Sequence, residues 1–296
     1  MSILGVGLAI VAAAGLAMQA LTIRMATRND GRSGDVLLVV MIVNAVVLVP
    51  LVLVFDPNPV LTPRAIMAFA GAGIAGTMLG RAFFYAGIER VGASRAEPIK
   101  ASMPIHATIL AIIILGERVT IVRFFGILLI VAGVAFISME GRSADRIRGV
   151  NTPLQWLALP FIGAFFFGLE PIFASIGLLE GTSILAGLVI KTLTGLSCYS
   201  IYLMLRGQFP GRQAFSTPDR HWYFLAGVSS TTFLLAYYAG LSVADVSIVV
   251  PIMQTSPLIV IVISAIYLQK LEVVTPRLIL SALTIVAGGV AITIFN

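Results

Sequence analysis

Three charged side chains, those of Arg81, Glu170 and Lys191, interrupt long apolar runs of the sequence. Such runs indicate membrane spans, and a charge at the centre of a span costs at least about 2.5–3.5 kcal/mol. Residues that carry this cost generally bind a ligand, relay protons or neutralise each other. The guanidinium of Arg81 has a planar fork of donors, so two hypotheses stay open: an anchor for a carboxylate or phosphate, or a structural clamp on a counter-ion or carbonyl.

Glu170 and Lys191 lie on consecutive spans, each about ten residues, or roughly 15 Å, from the short loop that joins these spans. Their equal depth on antiparallel helices predicts an ion pair, which neutralises both charges without a ligand. The sequence therefore favours a structural role for this pair. The alternative hypothesis makes Glu170 a substrate-facing group that carries a proton.

Prolines recur at matching positions of two apolar runs, Pro98 and Pro104 in the fourth and Pro251 and Pro257 in the ninth. A proline inside a helix kinks it, and the freed carbonyls can face a cavity. We expect a gating role, with helix packing as the alternative. Two groups of residues are candidates for substrate binding: polar residues close to these prolines, and tyrosines near the ends of two apolar runs. They are Tyr85, Lys100, His106, Tyr237, Tyr238, Gln254 and Thr255. The simpler interpretations are that the tyrosines lie at the membrane interface and that the histidine is only hydrogen-bonded.

Two other motifs indicate packing or capping. Gly71-Ala-Gly-Ile-Ala-Gly76 matches a dinucleotide fingerprint in letters, but it lies inside an apolar run, where small residues allow close helix packing. Glu117-x-x-Thr120 precedes the fifth run, and we expect it to start that helix. With two histidines and one cysteine, Cys198, the sequence has no zinc-ligand spacing, so we expect no metal and no cofactor.

The composition requires that membrane helices position these residues. Of the 296 residues, 59% are hydrophobic and 11% are charged, whereas soluble domains have about 25% charged residues. Most of the surface must therefore face lipid, which excludes a soluble enzyme, a secreted disulfide scaffold and a disordered chain. Ten apolar stretches, each close to the ~20 residues that cross a bilayer, indicate an all-α integral membrane protein: 3–23, 36–55, 66–88, 97–115, 121–138, 153–178, 183–205, 222–241, 246–268 and 276–295.

The sequence also repeats itself at an offset of 153 residues. Residues 84–115 align without gaps on residues 237–268 with nine identities, which include a Tyr-Ala-Gly triplet, one serine and two prolines. The halves 1–148 and 149–296 hold five spans each, and because five is odd the second half must be inverted. Inverted repeats are typical of secondary transporters, whose sites lie between the repeats near the membrane midplane.

Motifs of the first half resemble those of a known family. The stretch Tyr85-Ala-Gly-Ile-Glu-Arg-Val-Gly-Ala-Ser94, then Glu97-Pro98, then Leu115-Gly-Glu-Arg-Val-Thr120, followed by Gly126 and Gly133, resembles the EamA type of the drug/metabolite transporter superfamily. The resemblance covers essentially the whole chain as two repeats. It implies ten helices, a central cavity lined by spans one, three, four, six, eight and nine, and export or import of small metabolites.

The loop charges predict an orientation that departs from this resemblance. Fourteen of the 19 Lys and Arg residues lie in the odd-numbered loops or at the span ends next to them, and such residues concentrate in the cytoplasm. We therefore expect both termini outside, whereas ten-helix members of the family are usually drawn with both termini inside. The net charge of +6 reflects this topology rather than a nucleic-acid partner. Because both repeats belong to one chain, we expect a multi-pass monomer in the lipid bilayer of the cell (inner) membrane.

These features favour a secondary transporter that moves a small metabolite, such as an amino acid-like compound, an organic ion or a drug, by alternating access. In this hypothesis Arg81 binds an anionic group of the small-molecule substrate. An intramembrane enzyme acting on a lipid or peptide is an alternative, but the 13 acidic residues are scattered and lie mostly in loops. A passive channel is another alternative, although a channel would need neither paired prolines nor inverted halves.

Overall fold

The structure, a computed structural model, describes residues 3–26, 33–91, 99–100, 102–140, 154–209, 220–256, 258–259, 262–263 and 276–294. All regular secondary structure among these residues is helical, and six of the helices are long and apolar enough to cross a membrane. Shorter apolar helices lie at Met103–Leu115, Ile121–Phe136 and Leu283–Ile292. The prediction of an all-α integral membrane protein is confirmed.

Helix bounds follow the apolar runs. The uninterrupted α-helical spans are one, Ile3–Ala26; two, Ser33–Phe55; five, Ile121–Glu140; seven, Ile184–Leu205; eight, Arg220–Val243; and ten, Pro276–Ile294. Span six joins a 3-10 turn, Leu154–Leu157, to an α-helix, Ala158–Leu179. Span nine contains the helix Val246–Met253.

Spans three and four contain π-helical segments. Span three consists of an α-helix, Pro63–Ala72, a π-helical segment, Gly73–Gly80, and a second α-helix, Arg81–Val91. In span four, the α-helix Met103–Leu110 continues as the π-helical segment Ala111–Leu115. Segments of π-helix are rare and frequently occur at functional sites. The one in span three leads directly to the charged residue at the start of its second α-helix.

The packing of the spans repeats across the two halves of the chain. Span one packs on span eight, as span six packs on span three. Span two packs on span eight as span seven does on span three, and span one contacts span nine as span six contacts span four. Each contact between two spans thus has a counterpart between the two spans that lie five places further along or back in the chain, as two five-span repeats require.

This packing interleaves the two sequence halves. Spans one, two, eight and nine form one bundle, and spans three, four, six and seven form a second bundle. Spans five and ten pack chiefly on each other, and glycines allow their close crossing. A methyl group added at Gly126 would lie 2.8 Å from the carbonyl oxygen of Gly288, and one added at Gly133 would lie 2.9 Å from that of Ser281.

Candidate functional site

A cavity of about 260 Å³ lies between the two bundles. Spans one, three, four, six, eight and nine line it, as the family resemblance implies, and spans two and seven contribute as well. The lining residues extend from the middle of the spans toward the ends that join the odd-numbered loops. Polar and charged residues are prominent in the wall: Gln19, Asn44, Thr77, Arg81, Lys100, Glu170, Lys191, Thr192, Tyr237 and Gln254.

A buried ion pair lies in the middle of the membrane-spanning region. The Nζ atom of Lys191 donates to Oε1 of Glu170 at 2.5 Å, and both side chains are almost fully buried. The hydroxyl of Tyr238 donates to the same Oε1 atom at 3.0 Å. The ammonium of Lys191 also lies 4.8 Å from the centre of the Tyr238 ring, a cation–π distance. The Glu170 carboxylate is therefore neutralised within the protein.

Glycines of span three allow this pair to approach the span closely. A Cβ atom added at Gly76 would lie 2.6 Å from Cγ of Glu170, and one added at Gly73 would lie 2.6 Å from the backbone oxygen of Lys191. The glycine run that matches a dinucleotide fingerprint in letters therefore serves close helix packing. It brings span three against both members of the ion pair.

Arg81 follows the π-helical segment and lines the cavity. It forms no hydrogen bond or ion pair with the other residues that the structure describes. Arg81 and Lys191 both line the cavity, so two basic residues share its wall. Lys100 lies at the same wall, with its Nζ atom 4.7 Å from the centre of the Phe84 ring. Two basic residues, Arg81 and Lys100, therefore lie on this part of the wall.

Tyr237 also lines the cavity. Its hydroxyl oxygen is buried and meets full hydrogen-bond geometry with none of the described residues, but it interacts with the nearby Glu170 carboxylate, and its side chain is 1% exposed. Its ring stacks on that of Phe233 at 5.5 Å, and Phe233 lines the same wall. The hydroxyl therefore belongs to the polar cluster around Glu170, and Tyr237 contributes its ring to the cavity wall.

Spans four and nine are broken at repeat-related positions. The Ser102 hydroxyl donates to the carbonyl of Ile99 at 2.6 Å, and the Thr255 hydroxyl donates to that of Ile252 at 2.7 Å. The backbone N–H groups of Ser102 and Thr255 donate to the same carbonyls at 3.0 Å. These pairs of residues are 153 positions apart, which is the offset of the sequence repeat. Each half therefore builds the same turn inside a membrane span.

The two breaks meet at the cavity. The side-chain amide of Gln254 lies 3.1 Å from the sulfur of Met103, and both residues line the cavity. Pro104 lies in the first turn of the helix that follows the break in span four, where a missing N–H group has no cost. Pro251 lies inside the helix that precedes the break in span nine. Pro98 and Pro257 lie outside the described residues.

Two other candidate residues, His106 and Thr255, are not among the residues that line the cavity. His106 is within 3.2 Å of the Ser102 hydroxyl, and the rings of Phe161 and Phe165 pack edge-on against it. Thr255 uses its hydroxyl for the turn in span nine. The backbone of Tyr85 belongs to the second helix of span three, but its side chain lies outside the described part.

One polar cluster was missed by the sequence reasoning. The side-chain amide of Asn44 in span two lies 3.2 Å from the Ser230 hydroxyl and 2.9 Å from the Thr231 hydroxyl of span eight. All three residues are buried, and Asn44 lines the cavity. A lone amide inside an apolar run is a detectable signal, because such groups bond across helices.

The expectation that Glu117 starts span five is wrong. Its carboxylate accepts hydrogen bonds from the backbone N–H groups of Val246 and Ser247 at 2.7 and 3.1 Å, and from the Ser247 hydroxyl at 2.6 Å. It thus caps span nine, because a carboxylate satisfies free N–H groups at any helix start within reach. Thr120 caps span five instead, accepting from the N–H group of Arg123 at 3.2 Å.

Arg123 adds an ion pair to this contact between loops four and eight. Its Nη1 atom lies 3.2 Å from Oδ2 of Asp245 and donates to the carbonyl of Arg118 at the same distance. The Arg123 residue is 3% exposed. Together Glu117, Arg123, Asp245 and Ser247 form an even-side latch, which joins span five and the end of span four to the start of span nine.

Comparisons with known proteins agree with this fold. A family model described as the EamA-like transporter family matches residues 3–139 and again residues 154–294. The "Uncharacterized transporter YwfM" of Bacillus subtilis (strain 168) is 30% identical over 104 residues, which cover 35% of this chain and 35% of that protein. The chain thus matches about a third of the length of this curated relative.

A solved structure described as "Crystal structure of protein" matches with a TM-score of 0.78 and 12% identity, over 99% of this chain and 99% of that chain. At this identity the likeness concerns the fold alone. The family match is what decides the classification, because it covers both halves of the chain as two copies of one unit. The chain belongs to the EamA-like transporter family.

Proposed function

We propose that this protein is a secondary transporter that moves a small metabolite across the cell (inner) membrane by alternating access, and that it works as a monomer. The observation that carries the proposal is the pair of equivalent helix breaks that meet at the cavity between two bundles. Broken helices leave backbone groups free at membrane depth, and in secondary transporters such groups lie at the substrate site. The turns at Ser102 and Thr255 are suited to act as hinges.

In the proposed cycle, this structure corresponds to the state that is closed at the even-numbered loops and has its cavity toward the odd-numbered loops. On the even-loop side, the even-side latch ties the first bundle to the second. The cavity lies on the other side, from the span centres toward the odd-loop ends. In the proposed cycle the latch opens when the odd-loop side closes, so that the ion pair and Arg81 are exposed to each side in turn.

Counterflow in proteoliposomes tests the carrier mechanism. Purified protein is reconstituted, loaded with one unlabelled compound from a panel of organic acids, amino acids and organic cations, and supplied with the same compound in labelled form. A carrier accumulates label transiently and saturates, because each turnover exchanges one bound molecule. A channel equilibrates without overshoot, and a flux that rises linearly with concentration would contradict alternating access.

Proline variants at the two turns test the proposed hinges. Ser102→Pro and Thr255→Pro remove the N–H group that closes each turn, whereas the matched controls Ser102→Ala and Thr255→Ala keep that N–H group and lose only the hydroxyl. We expect exchange to fall in the first two variants even where the protein is recovered with unchanged thermal stability. Full exchange in both hinge variants would remove the turns from the mechanism.

A further inference from the structure

We infer that the substrate is a compact amphipathic organic anion, whose carboxylate binds Arg81 and whose apolar part packs on the aromatic wall of the cavity. This inference rests on the proposed transport function and names its substrate class. The argument for an anion is that the Glu170 carboxylate of the cavity is already paired within the protein, whereas Arg81 has no hydrogen bond or ion pair with the other described residues.

The carboxylate of the cavity is not free to bind a cation. Among the described lining residues Glu170 is the acidic one, and its Oε1 atom already accepts from Lys191 and Tyr238. An organic cation would have to displace an ammonium held at 2.5 Å in a buried site. Breaking a buried pair in this way is strongly unfavourable. The site is therefore poorly suited to an amine that lacks an acidic group.

Arg81 presents the opposite situation. Arg81 lines the cavity, has no hydrogen bond or ion pair with the other described residues, and shares the cavity wall with the like charge of Lys191. An anion placed beside Arg81 would satisfy the fork of donors and reduce the repulsion between the two cations.

The remaining wall favours an apolar body of limited size. Phe84 and Phe167 pack edge to face with centres 6.3 Å apart, and Phe233 stacks on Tyr237 on the opposite side. All four rings line the cavity, whose volume is about 260 Å³. A small aromatic or branched aliphatic acid would bury its apolar part here, whereas a large lipid would not be enclosed.

Ligand-dependent thermal stability of the full chain in detergent tests this inference, with three probes of nearly the same shape: phenylacetate, phenylacetamide and phenethylamine. We expect phenylacetate to raise the unfolding midpoint more than the amide or the amine. In Arg81→Gln the affinity for phenylacetate should fall about tenfold or more, since a hydrogen bond to a charged group is lost. In Arg64→Gln, the matched control, the affinity should not change, because Arg64 is an exposed partner of Glu180 outside the cavity.

A second variant keeps the inference testable if Arg81→Gln does not fold. Arg81→Lys keeps the positive charge but loses the planar fork of donors, and it should weaken phenylacetate binding about twofold to tenfold. Stabilisation by phenethylamine equal to that by phenylacetate, or none by phenylacetate up to millimolar concentration, overturns the inference. So does an unchanged phenylacetate affinity in both variants.

Counterflow in the same preparation separates this inference from the proposed function. Exchange of organic acids that is lost in Arg81→Gln and kept in Arg64→Gln supports both. Exchange of amines without exchange of acids would keep the carrier mechanism and overturn the anion. The absence of exchange by every compound class would overturn transport itself, whatever the binding result.

Discussion

At the scale of single residues, the Glu170 carboxylate is the point where several spans meet, and Gly76 leaves the room for it. We predict that Gly76→Ala lowers the unfolding midpoint and transport, because the new Cβ atom would lie 2.6 Å from Cγ of Glu170 and push it off Lys191. Gly7→Ala is the matched control in a membrane helix, since nothing lies within 4 Å of the added atom. Equal midpoints for the two variants would show that the span three contact is not tight.

The ion pair itself yields a second prediction at this scale. Glu170→Gln alone leaves a buried ammonium unpaired and should cost about 3–5 kcal/mol of stability. The double variant Glu170→Gln with Lys191→Met removes both charges, so most of this loss should be recovered. If the pair is only structural, the double variant also regains exchange of the substrate.

The readout that separates the two roles is coupling to pH. A double variant that is stable, exchanges substrate and yet no longer responds to a pH gradient would assign proton transfer to Glu170. Thermal midpoints and counterflow, measured with and without a pH gradient, are sufficient to distinguish these outcomes.

The sequence predicts contacts between residues that lie at the same depth in the membrane on helices joined by a short loop. Glu170 and Lys191 could be paired because two helices joined by one loop must be neighbours. The sequence could not predict the cluster of Asn44, Ser230 and Thr231, because Asn44 and Ser230 are 186 residues apart and lie on helices that no single loop joins. Their contact depends on how the bundles assemble, which local spacing does not record.

At the scale of helices, the even-side latch connects elements that are far apart in sequence. We predict that Glu117→Gln lowers the unfolding midpoint, because the carboxylate receives two backbone N–H groups and one hydroxyl at the start of span nine. Loss of a helix cap costs about 0.5–2 kcal/mol. Glu180→Gln is the control: it removes a carboxylate that pairs with the exposed Arg64, and such pairs contribute about 0–1 kcal/mol.

The same latch shows why its capping role was assigned to the wrong helix. A glutamate before an apolar run favours a helix N-terminus, and the pattern correctly indicated capping chemistry. The N-terminus that it reaches lies 129 residues away at Val246, because spans four and nine pack on each other across the repeat. If the unfolding midpoint of Glu117→Gln is no lower than that of Glu180→Gln, water must satisfy the N–H groups of Val246 and Ser247 as well as the carboxylate does.

At the scale of the whole molecule, the repeat could be read from the sequence but the bundles could not. The offset of 153 residues predicts which spans are equivalent, and the packing respects that equivalence. It does not predict that span one packs on span eight rather than on a span of its own half. Interleaving follows from burying apolar faces between halves, so the units that move in the proposed cycle mix both halves.

Orientation in the membrane is the property of the whole molecule that the loop charges predict. With both termini outside, loop two faces the exterior and loop seven faces the cytoplasm. In a Cys198→Ser background, which removes the lone cysteine, Asn58→Cys should react with a membrane-impermeant maleimide on intact cells. Gln208→Cys should react only after permeabilisation, and both positions are exposed. The reverse pattern would place both termini inside, and the cavity, which extends toward the odd-numbered loops, would then face outward.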